Sequence, residues 1–238
     1  MKVLQNLDFA KAIKELLPKL VGDALQIVLI VTVVGFILAV VIGFILALGR
    51  FTKSKILNGI ITVFQELIRG TPLLVQLVYI YYVLPLLLEI VLSLITGTDQ
   101  KVTISATVAG IVGLGINYGT YLSEVIRSAI LAIDSGQTEA ALALGFSPRQ
   151  ARFRIVIPQA FKNSVPVFGN YLVMMVKDTS LMAYITAQEF LMTTKAYTAQ
   201  TFLTIESYTI LAGVYLIICI PLSMLVKFVE RRLSRSTR

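Results

Sequence analysis

Five stretches of the chain stay hydrophobic for the roughly 20 residues a helix needs to cross a bilayer. Residues 24–48 are uncharged and are closed by Arg50, Lys53 and Lys55. Residues 56–95 are apolar but carry Glu66, Arg69, Gly70 and Pro72. Residues 102–123 are charge-free and are followed by Glu124 and Arg127. Residues 165–188 are interrupted only by Lys177 and Asp178, and residues 207–226 end at Lys227. The second stretch is long enough to be one bent or partly extramembrane element, which gives five spans, or a two-helix hairpin, which gives six. Five is the expectation. The pattern predicts one all-α integral membrane domain over residues 23–230, with no linker that would divide it.

Ahead of the first span, Phe9, Ala12, Ile13, Leu16, Leu17 and Leu20 recur at helical spacing with Lys11, Lys14 and Glu15 between them. This is the pattern of an amphipathic helix lying in the interface plane, expected within residues 1–22. Pro18, Gly22 and Asp23 interrupt it, and no signal-peptide core with a small-residue cleavage site precedes the first span. The densest Lys and Arg clusters fall at 50–55, at 127–162 and in the tail 231–238. Even numbers of spans separate them, so they share a side. The excess of basic residues in cytoplasmic loops assigns that side to the cytoplasm. The N-terminus is then outside and the C-terminus inside, with the basic tail anchoring on lipid.

Composition removes several kinds of chemistry. Hydrophobic residues make up 57% and charged residues 14%, against roughly 25% charged in soluble domains. No histidine is present, so there is no imidazole base, no His-x-x-x-His-type zinc site and no haem histidine. The single cysteine, Cys219, excludes an internal disulfide or a thiolate metal cage. A net charge of +8 would suggest nucleic acid in a soluble protein. In a membrane chain it reports basic loops and anionic lipid, and no nucleic-acid partner is expected.

The most informative segment runs over residues 134–158. Asp134 or Ser135 can cap a helix start with Gln137 reaching back, and Gly145 can take the left-handed conformation just past a helix end. Ser147-Pro148-Arg149-Gln150 then restarts a helix with a serine cap, a proline at the first position and a glutamine at the capping-box position. Pro158 is expected to limit that second helix. The result is a helix–bend–helix elbow on the basic side, either an ordinary loop or a docking knuckle. Small Ala140, Ala141 and Ala143 would permit close approach, Glu139 offers a charge, and Phe146 an apolar anchor.

Glu139-Ala140-Ala141, Gly145 four residues beyond Ala141, nine intervening residues and then Ile155-x-Ile157-Pro158 closely resembles the EAA motif of binding-protein-dependent ABC importer permeases. The family usually ends this motif Ile-x-Leu-Pro, and Ile157 keeps the apolar character. Glu66-Leu-Ile-Arg69-Gly70-Thr71-Pro72-Leu-Leu-Val-Gln76-Leu, Tyr118-Gly-Thr-Tyr-Leu-Ser-Glu124-Val-Ile-Arg127 and Lys177-Asp178-Thr179-Ser180-Leu181 resemble the polar-amino-acid branch, the histidine/glutamine/arginine permeases. The likeness is strongest to arginine-type subunits.

The resemblance implies the transmembrane domain of a type I ABC importer in a bacterial inner membrane, importing a polar and, on the arginine-type likeness, basic amino acid. It makes the elbow a coupling helix seated in a cytoplasmic ATPase, with Glu139, Ala140, Ala141, Gly145, Phe146 and Pro158 as coupling residues. It implies two copies of that ATPase, which carry ATP and Mg, a second permease subunit of the same or a related kind, and an extracytoplasmic solute-binding protein. The chain itself has no Gly-x-x-x-x-Gly-Lys-Ser/Thr phosphate loop, and is expected to hold no cofactor and to be no enzyme. The alternatives are a type I permease for another small solute, or an ATP-independent channel.

Charges at membrane depth cost about 2.5–3.5 kcal/mol each on insertion scales, so each calls for a partner or a function. Lys177 and Asp178, with Thr179 and Ser180, are either a zwitterion-binding site or a neutralised pair at a helix seam. Arg69 and Thr71 flank a break at Pro72 whose freed carbonyls either line a cavity or form a plain kink. Asn117 and Tyr118 either face substrate or close a helix contact. Glu124 and Arg127, three apart on one face, are expected to pair, structurally or as a gate. Glu89 and Glu189 near the outer surface either receive a cationic ligand or are solvated. Met174, Met175 and Met182 are read as packing.

Overall fold

The computed structural model describes residues 7–235, and every regular element among them is helical. The first six residues of segment 1–22 and the last three of the 231–238 tail lie outside the described residues. The elements are α1 (Phe9–Lys19), α2 (Leu25–Gly49), α3 (Lys55–Arg69), α4 (Leu73–Val78), α5 (Leu84–Thr96), α6 (Ala106–Leu131), α7 (Ser135–Ala143), α8 (Pro148–Ala151), α9 (Ile157–Asp178), α10 (Phe190–Thr201) and α11 (Thr204–Arg235). π-Helical turns at Leu20–Ala24, Tyr79–Val83 and Arg152–Val156 join α1 to α2, α4 to α5 and α8 to α9, and a 3₁₀ turn, Thr179–Ile185, follows α9.

The architecture is built on α2 packed along α6. A Cβ placed on Gly35 would touch Ile111; Gly115 lies under Leu38, Gly119 under Ile42, and Gly43 under Leu122 and the Gly119 carbonyl. Lipid offers no hydrophobic drive for helix association, so small residues that let backbones approach supply the packing. The register ascends on both helices together, so α2 and α6 are parallel. Parallel neighbours require an odd number of crossings between them. The segment 55–96 therefore crosses once, broken between α3 and α4, and the hairpin alternative falls. Leu77 and Ile80 against Gly113, with Gln76 against Asn117, make α4 antiparallel to α6.

α9 runs back antiparallel to α6, with Asp178 beside Tyr118 and Tyr171 beside Tyr121, and α11 returns along α9 with Val226 against Gly169. Phe9–Gly49, Leu73–Thr96 and Thr204–Leu233 are long and apolar enough to cross a bilayer by length and composition. α6 and α9 are less apolar because they form the interior: Asn117, Thr120 and Ser123 of α6 and Ser164 of α9 are all buried.

Part of the N-terminal stripe faces protein, while Phe9 and Ile13 are exposed. Ala12, Leu16 and Leu20 are buried against Phe190, Tyr197, Leu211 and Val214, the Tyr197 hydroxyl donates to Glu15 (3.1 Å), and the Asp8 amide donates to Glu206 (2.8 Å). Helical periodicity reports that one face is apolar, and α10 and α11 cover the Ala12, Leu16 and Leu20 part of it here. Pro18 lies inside α1, and the bend is at Gly22 (φ −83°, ψ −113°). Pro158 likewise does not end the second arm of the elbow. The π turn at Arg152–Val156 absorbs the donor that proline lacks, and α8 runs on into α9.

A buried polar chain fixes α3. Arg50 at the end of α2 bonds Thr62 and Gln65 (3.5 Å to the latter), and the buried Gln65 amide donates to Ser123 Oγ at 2.5 Å. Substituting Gly43→Leu should push α2 off α6, because its Cβ would already lie 3.0 Å from the Leu122 Cβ and 3.1 Å from the Gly119 carbonyl. The purified protein should melt several degrees lower in detergent. Gly59→Ala, inside α3 with nothing within 4 Å, should not lower the melting temperature and should raise it slightly through helix propensity.

Candidate functional site: a broken-helix cavity and an exposed elbow

The helix break at Gly70-Thr71-Pro72 is closed by one side chain. Gln76 donates from Nε2 to the Ile68 carbonyl (2.6 Å), the Thr71 carbonyl (3.0 Å) and Thr71 Oγ1 (2.9 Å), and its Oε1 accepts from Asn117 Nδ2 (3.1 Å). Thr71 Oγ1 donates in turn to the Leu67 and Ile68 carbonyls at 3.0 and 3.3 Å. The carbonyls that Pro72 deprives of partners are thus satisfied within the corner, and the corner is tied to α6. Irregular backbone at membrane depth is tolerated on those terms.

This corner, α6 and the end of α9 enclose a cavity of about 580 Å³, lined by Arg69 to Leu73, Asn117, Tyr118, Tyr121, Tyr171, Met174 and Asp178. Five of the eight residues expected to contact substrate therefore meet in one place: Arg69, Thr71, Asn117, Tyr118 and Asp178. The Tyr118 hydroxyl donates to Asp178 Oδ2 at 2.6 Å. Tyr171 meets Tyr118 edge-on (centroids 6.1 Å) and lies nearly parallel to Tyr121 (6.3 Å, 28°). A guanidinium on one wall, a carboxylate on another and a tyrosine cluster between them make a site suited to a small zwitterion.

The other three expected residues lie elsewhere. α9 ends at Asp178, and the chain tightens into the 3₁₀ turn, so adjacent side chains diverge. Lys177 lies toward α11 near Cys219. Thr179 is buried with its hydroxyl donated to the Val176 carbonyl (2.7 Å), and it and Ser180 stand beside Tyr215 of α11. Glu124 and Arg127 form no ion pair with each other among the described residues. Glu124 faces Arg69 instead (3.7 Å), and Arg69 also binds Glu66 (2.5 Å). The i,i+3 spacing put Glu124 and Arg127 on one face, but a cation from α3 reaches Glu124 across the helix gap. Glu89 accepts the Val102 amide (2.9 Å), and Glu189 is fully buried, capping α10 through the Leu191 and Met192 amides (both 2.8 Å). Both carboxylates are engaged by backbone donors. Gln76, Tyr121 and Tyr171 carry no signal of their own in the sequence; Gln76 and Tyr121 lie inside the amino-acid-permease-like segments.

The elbow forms at the other end of α6. Asp134 accepts the Gly136 amide (2.7 Å) to start α7. At its end, the Phe146 amide bonds the Ala141 carbonyl (3.1 Å) and the Gly145 amide the Leu142 carbonyl (3.0 Å), with Gly145 at φ +85°. This is the Schellman arrangement, with Phe146 and the buried Ala141 as its apolar pair. The Ser147/Gln150 capping box and Pro148 at the first position then start α8. Gln159 at the base of α9 bonds the Ile155 carbonyl (3.0 Å) and Gln137 of α7 (3.4 Å), bracing the two arms. Glu139, Ala140 and Pro158 are exposed, and Leu144 is 79% exposed.

A polar cavity beside a broken helix, with an exposed helix–bend–helix elbow at one end of the bundle, is an arrangement suited to a membrane permease subunit. The chain belongs to the family of binding-protein-dependent transport system inner membrane components, whose model matches residues 39–235. It is 34% identical over 205 residues to the L-cystine transport system permease of Bacillus subtilis, covering 86% of this chain and 82% of that one. It is 31% identical over 228 residues to the arginine transport system permease of the same organism, covering 96% and 98%. It superposes on an amino acid ABC transporter crystallised with histidines at TM-score 0.81 and 30% identity, covering 95% and 99% of the two chains. The fold is that of a type I ABC importer permease, all-helical as expected.

Replacing Gln76 with Leu should leave the broken corner without its clamp while keeping side-chain volume. Transport KM should rise roughly tenfold, a loss of about 1.4 kcal/mol on the scale of lost half-buried hydrogen bonds, with maximal rate much less affected. Initial uptake rates in proteoliposomes measure both.

Proposed function

We propose that this chain imports an amino acid through the cavity, with Arg69 receiving the α-carboxylate and Asp178 the α-ammonium. Tyr121 and Tyr171, stacked on one another, would offer the side chain one aromatic wall. The cavity itself carries this reading: it juxtaposes one cation and one carboxylate across a space of about 580 Å³, beside aromatic faces. A basic side chain is the finer reading. Cations sit favourably over tyrosine faces, and Glu124 lies on the far side of Tyr121, in the adjoining groove. Relatives of similar identity are named for cystine and for arginine, so the test is direct competition. Uptake of radiolabelled L-arginine should be suppressed by unlabelled basic amino acids at concentrations where L-glutamine and L-cystine do not compete. Uptake limited to neutral amino acids would refute the basic reading and keep the amino-acid one. No uptake of any amino acid would refute both.

The elbow end is read as cytoplasmic, and the elbow as the seat of a separate ATPase. An exposed Leu144 beside Leu142 on a polar knuckle is apolar surface in want of a cover. Two ATPase copies carrying ATP and Mg, a second permease subunit and an extracytoplasmic solute-binding protein complete the importer. The N-terminus is then outside and the C-terminus inside. ATP-driven closure of the motor pair would draw the elbows together, and the braced arms would carry the motion through the π turn into α9, whose end bears Asp178.

Gly145→Val should abolish transport-coupled ATP hydrolysis in the reconstituted complex. A β-branched residue at φ +85° carries more than the roughly 1–2 kcal/mol cost of the left-handed region, and the Schellman turn would reshape. Gly145→Ala should retain part of the activity. Unchanged hydrolysis in the valine variant would contradict the coupling role.

A further inference from the structure

A second cavity of about 560 Å³ continues from the first toward the elbow, lined by Glu124, Ser128, Asn163 and Ser164 among others. Arg69, Tyr121 and Tyr171 line both. These three side chains are therefore the partition between the central cavity and the elbow-side groove. Arg69 holds the partition by three donors. Nε bonds the Gln65 carbonyl (3.4 Å), Nη2 bonds Glu66 on its own helix (2.5 Å), and Nη1 reaches across to Glu124 on α6 at 3.7 Å. The first two are local to α3. Only the third crosses from α3 to α6, and it is the longest.

From this geometry, and resting on the amino-acid reading above, we propose that Arg69 is a substrate-exchanged latch. A carboxylate entering the central cavity takes Nη1 from Glu124, which opens the Arg69–Glu124 tie across the partition while the buried Gln65–Ser123 bond still holds α3 to α6. Loading the cavity and unlatching the groove become one event. The guanidinium is planar with its donors in a fixed fork, so a carboxylate on the cavity side and Glu124 on the groove side compete for the same edge. The long Glu124 contact is the tie that yields; the 2.5 Å tie to Glu66 keeps Arg69 anchored throughout. A ligand shifts a conformational equilibrium only through differential affinity for its two states, and exchange of one ion-pair partner for another supplies that difference.

The test uses the complete importer in proteoliposomes, with two probe pairs: L-arginine and L-argininamide, and L-glutamine and its α-amide. In wild type the carboxylate-bearing member of each pair should bind more tightly than its amide. Glu124→Gln removes the competitor with little change in shape. It should tighten binding of the amino acid about fivefold, the scale of a partly exposed ion pair, and leave the amide unchanged. It should also raise substrate-independent ATP hydrolysis, so that stimulation by substrate shrinks. Glu124→Asp, which keeps the charge on a shorter side chain, should fall between wild type and Glu124→Gln. If acid and amide bind wild type equally, the carboxylate site at Arg69 is wrong and the latch goes with it, while the amino-acid reading stands or falls on the uptake experiment above. If wild type discriminates but Glu124→Gln tightens neither probe, or both alike, the site stands and the latch is overturned. Should Glu124→Gln fail to assemble, Glu124→Asp alone separates the two cases: a shorter carboxylate holds Nη1 less closely, so the latch requires the amino acid to bind somewhat more tightly than in wild type, and unchanged binding overturns it.

Discussion

The constraint on which this molecule depends is that a broken helix inside a bilayer leaves carbonyl groups without donors, and lipid supplies none. The break between α3 and α4 meets that demand with Gln76 and Thr71, which between them satisfy the carbonyls of Leu67, Ile68 and Thr71. Because Gln76 also accepts from Asn117, the same side chain that stabilises the break fixes it to α6. The cavity is a consequence: a helix that stops short leaves space, and the polar groups around the stop make that space hospitable to a polar solute. The early end of α9 at Asp178 does the same from the opposite wall.

Around this centre the rest of the fold divides by how its helices pack. The parallel α2 and α6 lie backbone to backbone on small residues, a rigid spine that also determines the single crossing of 55–96. α1, α10 and α11 form a second cluster around Leu16, Phe190 and Tyr197. The elbow sits beyond the spine and is braced to α9 by Gln159 and Gln137. A push on the knuckle therefore acts on the helix that carries Asp178, whereas the glycine seam has little slack to absorb it.

Much of the elbow was legible in the sequence because its determinants are local, although Gln137 does not reach back to the cap and accepts from Gln159 instead. The Asp134 cap, the left-handed Gly145 and the Ser147–Gln150 box all close within about five residues, so residue type and spacing suffice. The all-helical membrane fold was legible because long apolar runs stand out, although α6 and α9, which form the interior, are less apolar than Phe9–Gly49, Leu73–Thr96 and Thr204–Leu233. Long-range partners were not legible. Glu124 shares a helical face with Arg127, and nothing in the local spacing reveals that Arg69, 55 positions earlier in the chain, is the cation that reaches it. An apolar stripe on α1 has one signature whether lipid or protein covers it. Pro158 signals a helix stop unless a π turn precedes it, and π turns have no residue code of their own. Tyr121 and Tyr171 look like ordinary interfacial aromatics until the antiparallel pairing of α6 and α9 brings them face to face.

The central claim is that the space beside the α3–α4 break is an aqueous substrate site. Its most direct measurement uses the chain's single cysteine: with Cys219 replaced by Ser, cysteines are introduced one at a time at Thr71, Met174, Ile37 and Ile217, and the importer in membranes is treated with a charged, membrane-impermeant thiol reagent. Thr71 and Met174 flank the break and the cavity, and Ile37 and Ile217 are exposed on the outer faces of α2 and α11. The account predicts labelling at positions 71 and 174, slowed by the transported amino acid, and none at 37 and 217. Labelling at 37 and 217 in preference to 71 and 174, or labelling at 71 and 174 indifferent to the amino acid, would contradict it.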